Sequence, residues 1–428
     1  MTDHHGSTHD LVIGGGATGV IMAAQILRQS DRRVTLVGRD AAFGHGIAYA
    51  TKDPDHLLNT RVANMSAYPD RPADFQDWLT ANGLPSDPEG FVSRAIYGRY
   101  MQDLLRPWQN DPRLTLLQGE VVRLRPEAAA VTATLDNGQT LQADRALLAT
   151  GHALAAEEAG MDNAWRFDGQ PALDGRVVIV GSGLSMVDQT LSLLNSDHRG
   201  SIVSVSRRGL LPLPHADDPP CSQMVDPPVG VPVSRLLHWA RQQARAAEAA
   251  GGTWRDTVDS IRPHAQALWQ GMSPDQRRRF LRHAASWWGI HRHRIPQGSW
   301  ARIRDAMASG QLAIRRGTFR RAEPGVAHLR DPDGTESRLE AARIIDCRGI
   351  LRDPATHGSP LMRNLLEQGH ARMDPLCIGL DVTPDGALIG RDGRPNPRLL
   401  AVGPVARAAL WEITAIPDIR EQAAGLTR

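Results

Sequence analysis

A glycine-rich turn near the N-terminus carries the first recognisable chemistry in this sequence. Gly14, Gly16 and Gly19 form a GxGxxG pattern between the apolar run 11–13 and an amphipathic stretch. The first glycine permits a tight turn, the second lets the backbone approach a pyrophosphate, and the third lets a helix pack on a strand. Free N–H groups and the dipole of the helix N-terminus then stabilise phosphate charge. The pattern predicts a dinucleotide site.

The next strand ends without the carboxylate that usually binds an adenosine ribose. The segment RRVTLVGRD has Gly38 at the position where that acid is expected, followed by Arg39 and Asp40. Two interpretations stay open. Either Asp40 reaches the ribose, or Arg39 stacks on the adenine while the ribose hydroxyls bond backbone groups.

A second strand, turn and helix pattern begins at Val177 with the segment VVIVGSGLSMVD. Its first two glycines match the pattern, and Met186 stands in place of the third. This repetition indicates a loose internal duplication of the chain. We assign a second nucleotide to the turn residues Gly181, Ser182, Gly183 and Ser185.

The strand after this second turn ends in SVSRRG, where an acid would select NAD by accepting from the ribose 2′-hydroxyl. Ser206, Arg207 and Arg208 instead offer hydrogen-bond donors and positive charge that suit a 2′-phosphate. The alternative is an exposed, solvated arginine pair. We therefore expect NADPH, with NADH as the second choice. Two dinucleotide sites would let the nicotinamide deliver hydride to a flavin, FAD, on the first turn.

These sites require an α/β fold with two Rossmann-like dinucleotide-binding domains, each with a β-meander, and a helical insertion in the second. Period-two alternation and the hairpin signals Asn137-Gly138 and Asp333-Gly334 predict the two meanders. We expect residues 1–170 to form the first part of the FAD domain and residues 171–335 the NADPH domain. The insertion spans about 231–310, and residues 336–428 return to the FAD domain.

Local signals place two helix starts. Ser273 is predicted as an N-cap, with Pro274 in the first turn of the following helix. The last segment predicts a terminal helix that begins near Pro417.

Bulk composition points to an ordinary globular chain. The 428 residues favour two domains, and 41% hydrophobic with 22% charged residues is typical of globular proteins. A net charge of +2 gives no electrostatic case for nucleic acid. We expect no secretory signal, no membrane span and a cytoplasmic location, with a small-molecule substrate and O2 as partners. The oligomeric state is not specified by these features.

The cysteines Cys221, Cys347 and Cys377 are widely spaced and form no CxxC. This spacing argues against a disulfide framework, a zinc site and a redox dithiol, and we expect no metal.

The sequence resembles a bacterial FAD/NAD(P)-binding family of flavoproteins with two dinucleotide-binding domains. The resemblance covers almost the whole chain, in blocks that occur in the same order. They are GHGIAYATKDPDHLLNTRVANMSA, RALLATGH, VVIVGSGLSMVDQTL, SVSRRGLLPLPH, WWGIHRHRIP and LWEITAIPDIREQA. The family is related to N-hydroxylating and Baeyer–Villiger monooxygenases and resembles a FAD-dependent urate hydroxylase.

The resemblance implies positions along FAD. Tyr49, Asn59 and Met65 would lie along the flavin, and Thr150 and Gly151 at the crossover between domains. Gly403 and the helix that starts at Ile416 and Pro417 would approach the ribityl chain and the pyrimidine edge, although Pro404 stands where relatives often have Asp. A helix N-terminus there suits the negative charge of reduced flavin. The full set assigned to FAD is Gly14, Gly16, Thr18, Gly19, Arg39, Tyr49, Asn59, Met65, Val122, Thr150, Gly151, Gly403, Ile416 and Pro417.

The resemblance also implies monooxygenase chemistry, in which NADPH reduces FAD and a C4a-hydroperoxyflavin transfers oxygen to the substrate. Urate or a related purine is the first candidate, and N-hydroxylation of an amino acid or amine is the alternative. A quinone or electron-carrier reductase and a non-catalytic nucleotide-sensing flavoprotein are the competing classes. A disulfide reductase would need a cysteine pair beside the flavin, which the sequence lacks.

The helical insertion supplies candidates for substrate binding in the segment HRHRIP. Arg292 and Arg294, with His291, would hold a carboxylate or an anionic purine. The alternatives are an exposed basic helix end and, least favoured, a metal site at His291 and His293. Trp411 precedes the terminal helix and would line the substrate cavity. His152 either supports that cavity or is a satisfied loop histidine.

Overall fold

The computed structural model describes residues 8–152, 158–166, 174–217, 224–349 and 358–427. Seventeen strands are seen in these ranges. They are β1 His9–Ile13, β2 Arg33–Gly38, β3 Leu114–Gln118, β4 Val121–Pro126, β5 Val131–Leu135, β6 Thr140–Ala143, β7 Arg145–Leu148, β8 Asp162–Asn163, β9 Val177–Val180, β10 Ile202–Ser206, β11 Leu312–Arg316, β12 Thr318–Glu323, β13 Val326–Arg330, β14 Glu336–Glu340, β15 Arg343–Asp346, β16 Ala387–Ile389 and β17 Pro395–Ala401.

Twelve α-helices are seen in the same ranges. They are α1 Ala17–Gln29, α2 Asp74–Ala81, α3 Arg94–Asp103, α4 Leu184–Asn195, α5 Val233–Ala249, α6 Trp254–Ile261, α7 Ala265–Gln270, α8 Pro274–His283, α9 Ala285–Arg292, α10 Gln297–Ala308, α11 Pro360–Gln368 and α12 Ile416–Gly425. No helix in the described part of the chain is both long enough and apolar enough to cross a membrane.

The chain forms two compact units. The first comprises Met1–Ala50, Thr60–Leu154 and Leu351–Arg428, and the second comprises Thr51–Asn59 and Ala155–Ile350. We expected the chain to leave the first domain after residue 170 and to return to it at residue 336. Strand β15 instead belongs to the second unit, where it pairs in parallel with both β9 and β8.

The first unit is built on a six-stranded sheet with the order β16-β17-β7-β1-β2-β3. Its strands are parallel except for β16, which pairs antiparallel with β17. The central strand β1 is almost wholly buried and ends in the apolar residues 11–13, as expected for a parallel strand covered on both faces. A separate antiparallel meander, β4-β5-β6, packs its apolar face against helix α11 in one shared core.

The second unit repeats this plan with a five-stranded parallel sheet in the order β11-β10-β9-β15-β8. One face packs with α4 and α10, and the other packs with the meander β12-β13-β14. The order β7-β1-β2-β3 in the first sheet therefore recurs as β15-β9-β10-β11. The predicted fold class and its internal duplication are confirmed.

Local signals in the sequence are matched by the structure. Gly138 and Gly334 adopt φ values of +84° and +92° in the turns of the two predicted hairpins. The Ser273 side chain accepts from Gln276 N–H at the start of α8, and Pro274 lies in its first turn. The terminal helix starts at Ile416, beside the predicted Pro417.

The segment Thr51–Asn59 belongs to the second unit although it precedes most of the first in sequence. The His56 ring lies 2.9 Å, through Nε2, from the Ser192 hydroxyl on α4. Ser192 in turn donates to Asp53 at 2.5 Å, and Arg302 on α10 donates to Asp55 at 2.5 Å. These bonds hold the segment on the helical face of the second sheet.

Candidate functional site

The first glycine turn is so tightly packed that two of its positions accept only glycine. Gly14 has a φ of +124° and donates to the Val37 carbonyl at 2.8 Å. A Cβ on Gly14 would overlap the carbonyl of Ala149, and a Cβ on Gly19 would overlap the carbonyl of Gly14. The first and third glycines therefore have the steric roles that the pattern predicts.

The second position is more open, as a backbone approach to phosphate requires. Gly16 is the N-cap of α1 and supplies no side-chain cap, so the first turn of the helix keeps its N–H groups for a ligand. The neighbouring segment FGHG, at the start of one block of the family resemblance, packs on this turn, and Gly44 N–H donates to the Gly15 carbonyl at 2.8 Å. A Cβ on Gly46 would lie 3.1 Å from the Gly16 Cα. Glycines on both sides of the turn thus keep it accessible to a ligand.

The absent carboxylate at the end of β2 has a steric explanation. A Cβ on Gly38 would lie 2.9 Å from both the Gly15 Cα and the Phe43 ring, so an acid at this position would displace the turn. Phe43 is half-buried against the turn and was not singled out from the sequence. Arg39 and Asp40 are exposed, and their side chains make no hydrogen bond or ion pair with the described residues, although the Arg39 carbonyl accepts from Gln118 Nε2 at 3.2 Å.

The C-terminal segment of the first unit meets the same turn. Gly403 has a φ of +68°, and a Cβ on it would lie 2.7 Å from the Thr18 side chain. Its N–H donates to Gln422 Oε1 at 2.8 Å, while Gln422 Nε2 donates to the Ala401 carbonyl at 3.0 Å. Gln422 lies on α12, so one side chain couples the Gly403 loop to the helix that begins at Ile416 and Pro417.

The other residues assigned to FAD differ in their surroundings. Tyr49 packs 4.8 Å from the Tyr97 ring, and burial raises its pKa to about 12 against the opposing charge of Arg94. The Tyr97 hydroxyl donates to the carbonyl of the buried Met65 at 3.0 Å. Val122 is half-buried at the start of β4, and Thr150 and Gly151 follow β7 directly.

Asn59 does not group with these residues. It belongs to the second unit, where its carbonyl accepts from His215 Nε2 at 3.1 Å. Its placement with the first domain is therefore corrected, because the Thr51–Asn59 segment packs on α4 and α10.

Buried polar groups accompany the first turn. Burial and the nearby Arg407 charge lower the pKa of His152 to about 4, so its ring is neutral at ordinary pH. Its buried Nδ1 has no hydrogen-bond partner in the described part of the chain. The Arg407 guanidinium lies 5.7 Å from the centre of the Trp411 ring. An unsatisfied buried nitrogen beside a glycine cradle fits a large polar ligand such as FAD.

The second turn reproduces the backbone contacts of the first. Gly181 has a φ of +121° and donates to the Val205 carbonyl at 2.8 Å, and a Cβ on it would overlap the carbonyl of Cys347. A Cβ on Gly183 would meet no described atom within 4 Å. Met186 is fully buried at the third position. Ser185 lies half-buried in the first turn of α4.

The end of β10 is organised by serine hydroxyls. The Ser182 and Ser206 hydroxyl oxygens lie 2.8 Å apart, and Ser206 Oγ accepts from Gly209 N–H at 3.0 Å. Arg208 donates to the carbonyls of Arg282 and His283, the latter at 3.2 Å, at the end of α8. Arg207 is exposed and makes no hydrogen bond or ion pair with the described residues. Of the two predicted arginines, Arg208 is therefore bonded to the protein, whereas the guanidinium of Arg207 is available to a ligand.

The insertion arginines are buried, which excludes the exposed basic helix end. Arg294 is only 4% exposed and pairs with Asp259, and Arg292 is 7% exposed. His291 contacts the carbonyl of Trp287 at 2.8 Å and packs edge-on against Trp254. No cluster of three His, Cys, Asp or Glu side chains suited to a metal is present among the described residues.

The two cysteines in the described residues give little support for thiol–disulfide chemistry. Burial raises the pKa of Cys347 well above its ordinary value, so its thiol is protonated. Cys377 is a free, exposed thiol of the other unit. Cys221 lies outside the described residues.

Comparisons with known proteins agree with this architecture. Residues 11–153 match the model of a family described as FAD-NAD(P)-binding. A search of curated proteins gives no match. These 143 residues therefore contain a FAD/NAD(P)-binding domain, as the first glycine turn predicts.

Several solved structures resemble the chain over almost its whole length. The reduced form of the ornithine hydroxylase PvdA from Pseudomonas aeruginosa is 15% identical with a TM-score of 0.65, covering 99% of this chain and 98% of that one. The ornithine N-hydroxylase KtzI from Kutzneria sp. 744, with reduced FAD, NADP+ and L-ornithine, is 14% identical with a TM-score of 0.63, covering 98% of each chain. The bacillithiol disulfide reductase Bdr from Bacillus cereus is 12% identical with a TM-score of 0.56, covering 99% and 98%. At these identities the likeness establishes the fold, which is that of two-dinucleotide-binding-domain flavoproteins.

Proposed function

We propose that this protein is an FAD-dependent monooxygenase that consumes NADPH and oxygenates a small polar substrate. The proposal depends on one observation. Gly14 and Gly181 make the same backbone contacts, each in the turn that follows the central strand of its sheet, and the two sheets share a strand order. A chain with two such cradles can hold an electron donor and an electron acceptor.

The first unit holds the FAD. The turn at Gly14, Gly16 and Gly19 binds the pyrophosphate through backbone N–H groups, since side chains are excluded there. Thr18 and Gly403 bring the C-terminal helix α12 to the same turn. FAD, when bound, supplies the redox chemistry that activates O2. The protein contributes a buried environment in which His152 stays uncharged.

The second unit holds the NADPH. Gly183 leaves open space for the pyrophosphate, and the hydroxyls of Ser182 and Ser206 shape the edge of the turn. Arg207 supplies positive charge for the 2′-phosphate. Arg208 has a structural part in this unit, because its guanidinium caps the carbonyl end of α8.

The substrate carries a group that the insertion recognises. N-hydroxylation of an amino acid or amine has at least as much support as urate hydroxylation, because two similar structures are ornithine hydroxylases. The buried Arg294 and Arg292 offer donors for a carboxylate, which an amino acid has. Trp411, whose ring centre lies 5.7 Å from the Arg407 guanidinium, would line the substrate cavity.

A quinone or electron-carrier reductase is the second candidate, favoured by the similarity to a reductase structure. Thiol–disulfide chemistry needs an accessible thiolate beside the flavin. The buried, protonated Cys347 does not provide one.

The experiment that tests the proposal starts with the purified yellow protein under anaerobic conditions. NADPH is expected to bleach the flavin, and readmitted O2 to restore it. Turnover is then followed with L-ornithine, L-lysine, small diamines and urate, measuring NADPH oxidation, peroxide release and hydroxylated product. A true substrate will lower the peroxide released per NADPH. Equal anaerobic turnover with a quinone would favour the reductase, and absence of bleaching would favour a nucleotide sensor.

A further inference from the structure

The carboxyl end of the second sheet carries four arginines around Ser206. They are Arg207 and Arg208 after β10, and Arg315 and Arg316 at the end of β11. Ligands of parallel sheets bind at this edge. The contacts of the four guanidinium groups therefore decide which of them can serve a ligand.

Two of these arginines are committed to the protein. Arg208 donates to the last carbonyls of α8. Arg315 donates to both carboxylate oxygens of Asp331 at 2.9 Å and to the Ser337 hydroxyl at 2.8 Å, on the meander side of the sheet. Neither guanidinium can reach a nucleotide without breaking these bonds.

Arg316 differs from both in its surroundings. It is the register partner of Ser206 in the neighbouring parallel strand, and Gly317 N–H donates to the Ser206 carbonyl at 3.0 Å. A Cβ on Gly209 would lie 2.9 Å from Arg316 Cγ and 3.7 Å from Cδ. The aliphatic part of Arg316 therefore lies against the turn that follows β10.

The charge of Arg316 is not neutralised locally. Its side chain is exposed and makes no hydrogen bond or ion pair with the described residues, as is also true of Arg207. Successive side chains of a strand point to opposite faces, which explains why Arg315 is paired on the meander and Arg316 is not. Two available cations thus flank the end of β10.

We propose that Arg316 is a specificity-determining residue that binds the nucleotide 2′-phosphate together with Arg207. A phosphate monoester carries a charge of about −1.5 to −2 at neutral pH, which two guanidinium groups balance better than one. Because NAD lacks this phosphate, Arg316 discriminates between the two nucleotides. The inference rests on the proposed use of NADPH, and it names a residue that is distant in sequence from SVSRRG.

The test uses two probes that differ only in the 2′-phosphate, namely adenosine 2′,5′-bisphosphate and adenosine 5′-monophosphate. Their dissociation constants are measured by titration calorimetry on the full chain with its flavin. The wild type is expected to prefer the bisphosphate. Arg316→Met keeps the aliphatic volume and should reduce that preference about tenfold, the usual scale for a charge-assisted bond. Arg207→Met should act similarly, and the double variant should bind both probes alike.

Two further variants serve as controls. Arg199→Met removes an exposed arginine before the opposite end of β10 and should leave the preference unchanged. Arg316→Lys retains the charge and should keep most of the preference for the bisphosphate. This variant separates the effect of losing the charge from an effect of the substitution on folding. As a second readout, Arg316→Met should raise the KM for NADPH more than it lowers kcat, with the NADH parameters unaffected.

The outcomes are distinguishable. If the wild type binds both probes equally, the proposed use of NADPH fails. If the wild type prefers the bisphosphate and Arg316→Met leaves that preference intact, the role of Arg316 is overturned while the proposed function stands.

Discussion

Arg294 Nη2 lies 2.5 Å from one carboxylate oxygen of Asp259 and 2.7 Å from the other, inside the helical insertion. Arg294 is 4% exposed at its side chain, whereas Asp259 is 22% exposed. Water can therefore reach the acid better than the arginine. This difference in exposure has consequences for both stability and substrate binding.

Removing the acid is expected to cost more stability than removing the base. Asp259→Asn leaves a buried guanidinium uncompensated, a change that typically costs about 3–5 kcal/mol. Arg294→Met leaves a carboxylate that can be hydrated, so the free energy of unfolding should fall less. Urea denaturation of both variants measures the difference. Equal losses of the free energy of unfolding in the two variants would contradict the idea that water reaches Asp259 better than Arg294.

The Arg294→Met variant also tests the substrate site. If Arg294 binds a substrate carboxylate, Arg294→Met should raise the KM for the carboxylate substrate by at least about tenfold, on the scale of a charge-assisted bond. The matched control is Arg320→Met, which removes an exposed arginine of the same unit and should not change the KM. An unchanged KM in the Arg294 variant would remove this residue from the substrate site.

The two glycines of the second turn are expected to respond differently to alanine. Gly181→Ala introduces a Cβ that overlaps the Cys347 carbonyl at a φ of +121°, so it should lower stability by about 1–3 kcal/mol and abolish NADP+ binding. Gly183→Ala meets open space at a φ of −90° and should leave stability nearly unchanged. It should still weaken NADP+ binding, because the methyl group stands where the pyrophosphate approaches.

Thermal unfolding and nucleotide titration of the two variants separate these effects. Normal NADP+ affinity in a stable Gly183→Ala protein would show that the pyrophosphate does not bind this turn.

Gly14→Ala is the corresponding change in the first unit. The Cβ would overlap the Ala149 carbonyl at a φ of +124°, so the protein should lose bound FAD. The measurement is the flavin absorbance retained after gel filtration, with Gly138→Ala as a control. Gly138 also has a positive φ, in a hairpin with open space, and its variant should keep the flavin. Retention of FAD by Gly14→Ala would exclude this turn as its cradle.

His152 is expected to make stability pH-dependent. Burial and then Arg407 lower its folded pKa to about 4, below its ordinary value of 6.5. The unfolded chain therefore binds the proton more readily, so stability is full above pH 6.5 and falls between pH 6.5 and about 4. A shift of this size corresponds to about 3 kcal/mol at most.

His152→Gln removes the titrating group and should lack this component of the pH dependence. The free energy of unfolding, measured at pH 7.5 and at pH 4.5 for both proteins, gives the comparison. A parallel loss of stability in the two proteins would assign the pH dependence to other groups.

Features with local causes were determined by the sequence. The steric demand at Gly19 follows from a strand entering a tight turn before a helix, because a Cβ there would overlap the Gly14 carbonyl five residues earlier. The hairpins at Gly138 and Gly334 follow from turn conformation. Ser273 and Pro274 mark the start of α8 for equally local reasons. In these cases the responsible atoms lie within a few residues, so a short window of sequence contains the cause.

Other features were decided by tertiary structure, because their causes join distant parts of the chain. Gly38 is fixed by its packing on Gly15 and Phe43, and Asn59 by the docking of its segment on the second unit. Arg294 pairs with Asp259 of α6, and Arg316 is brought to Ser206 by strand register. The sequence specifies that these residues are present, but long-range packing decides which charges are neutralised and which remain available to a ligand.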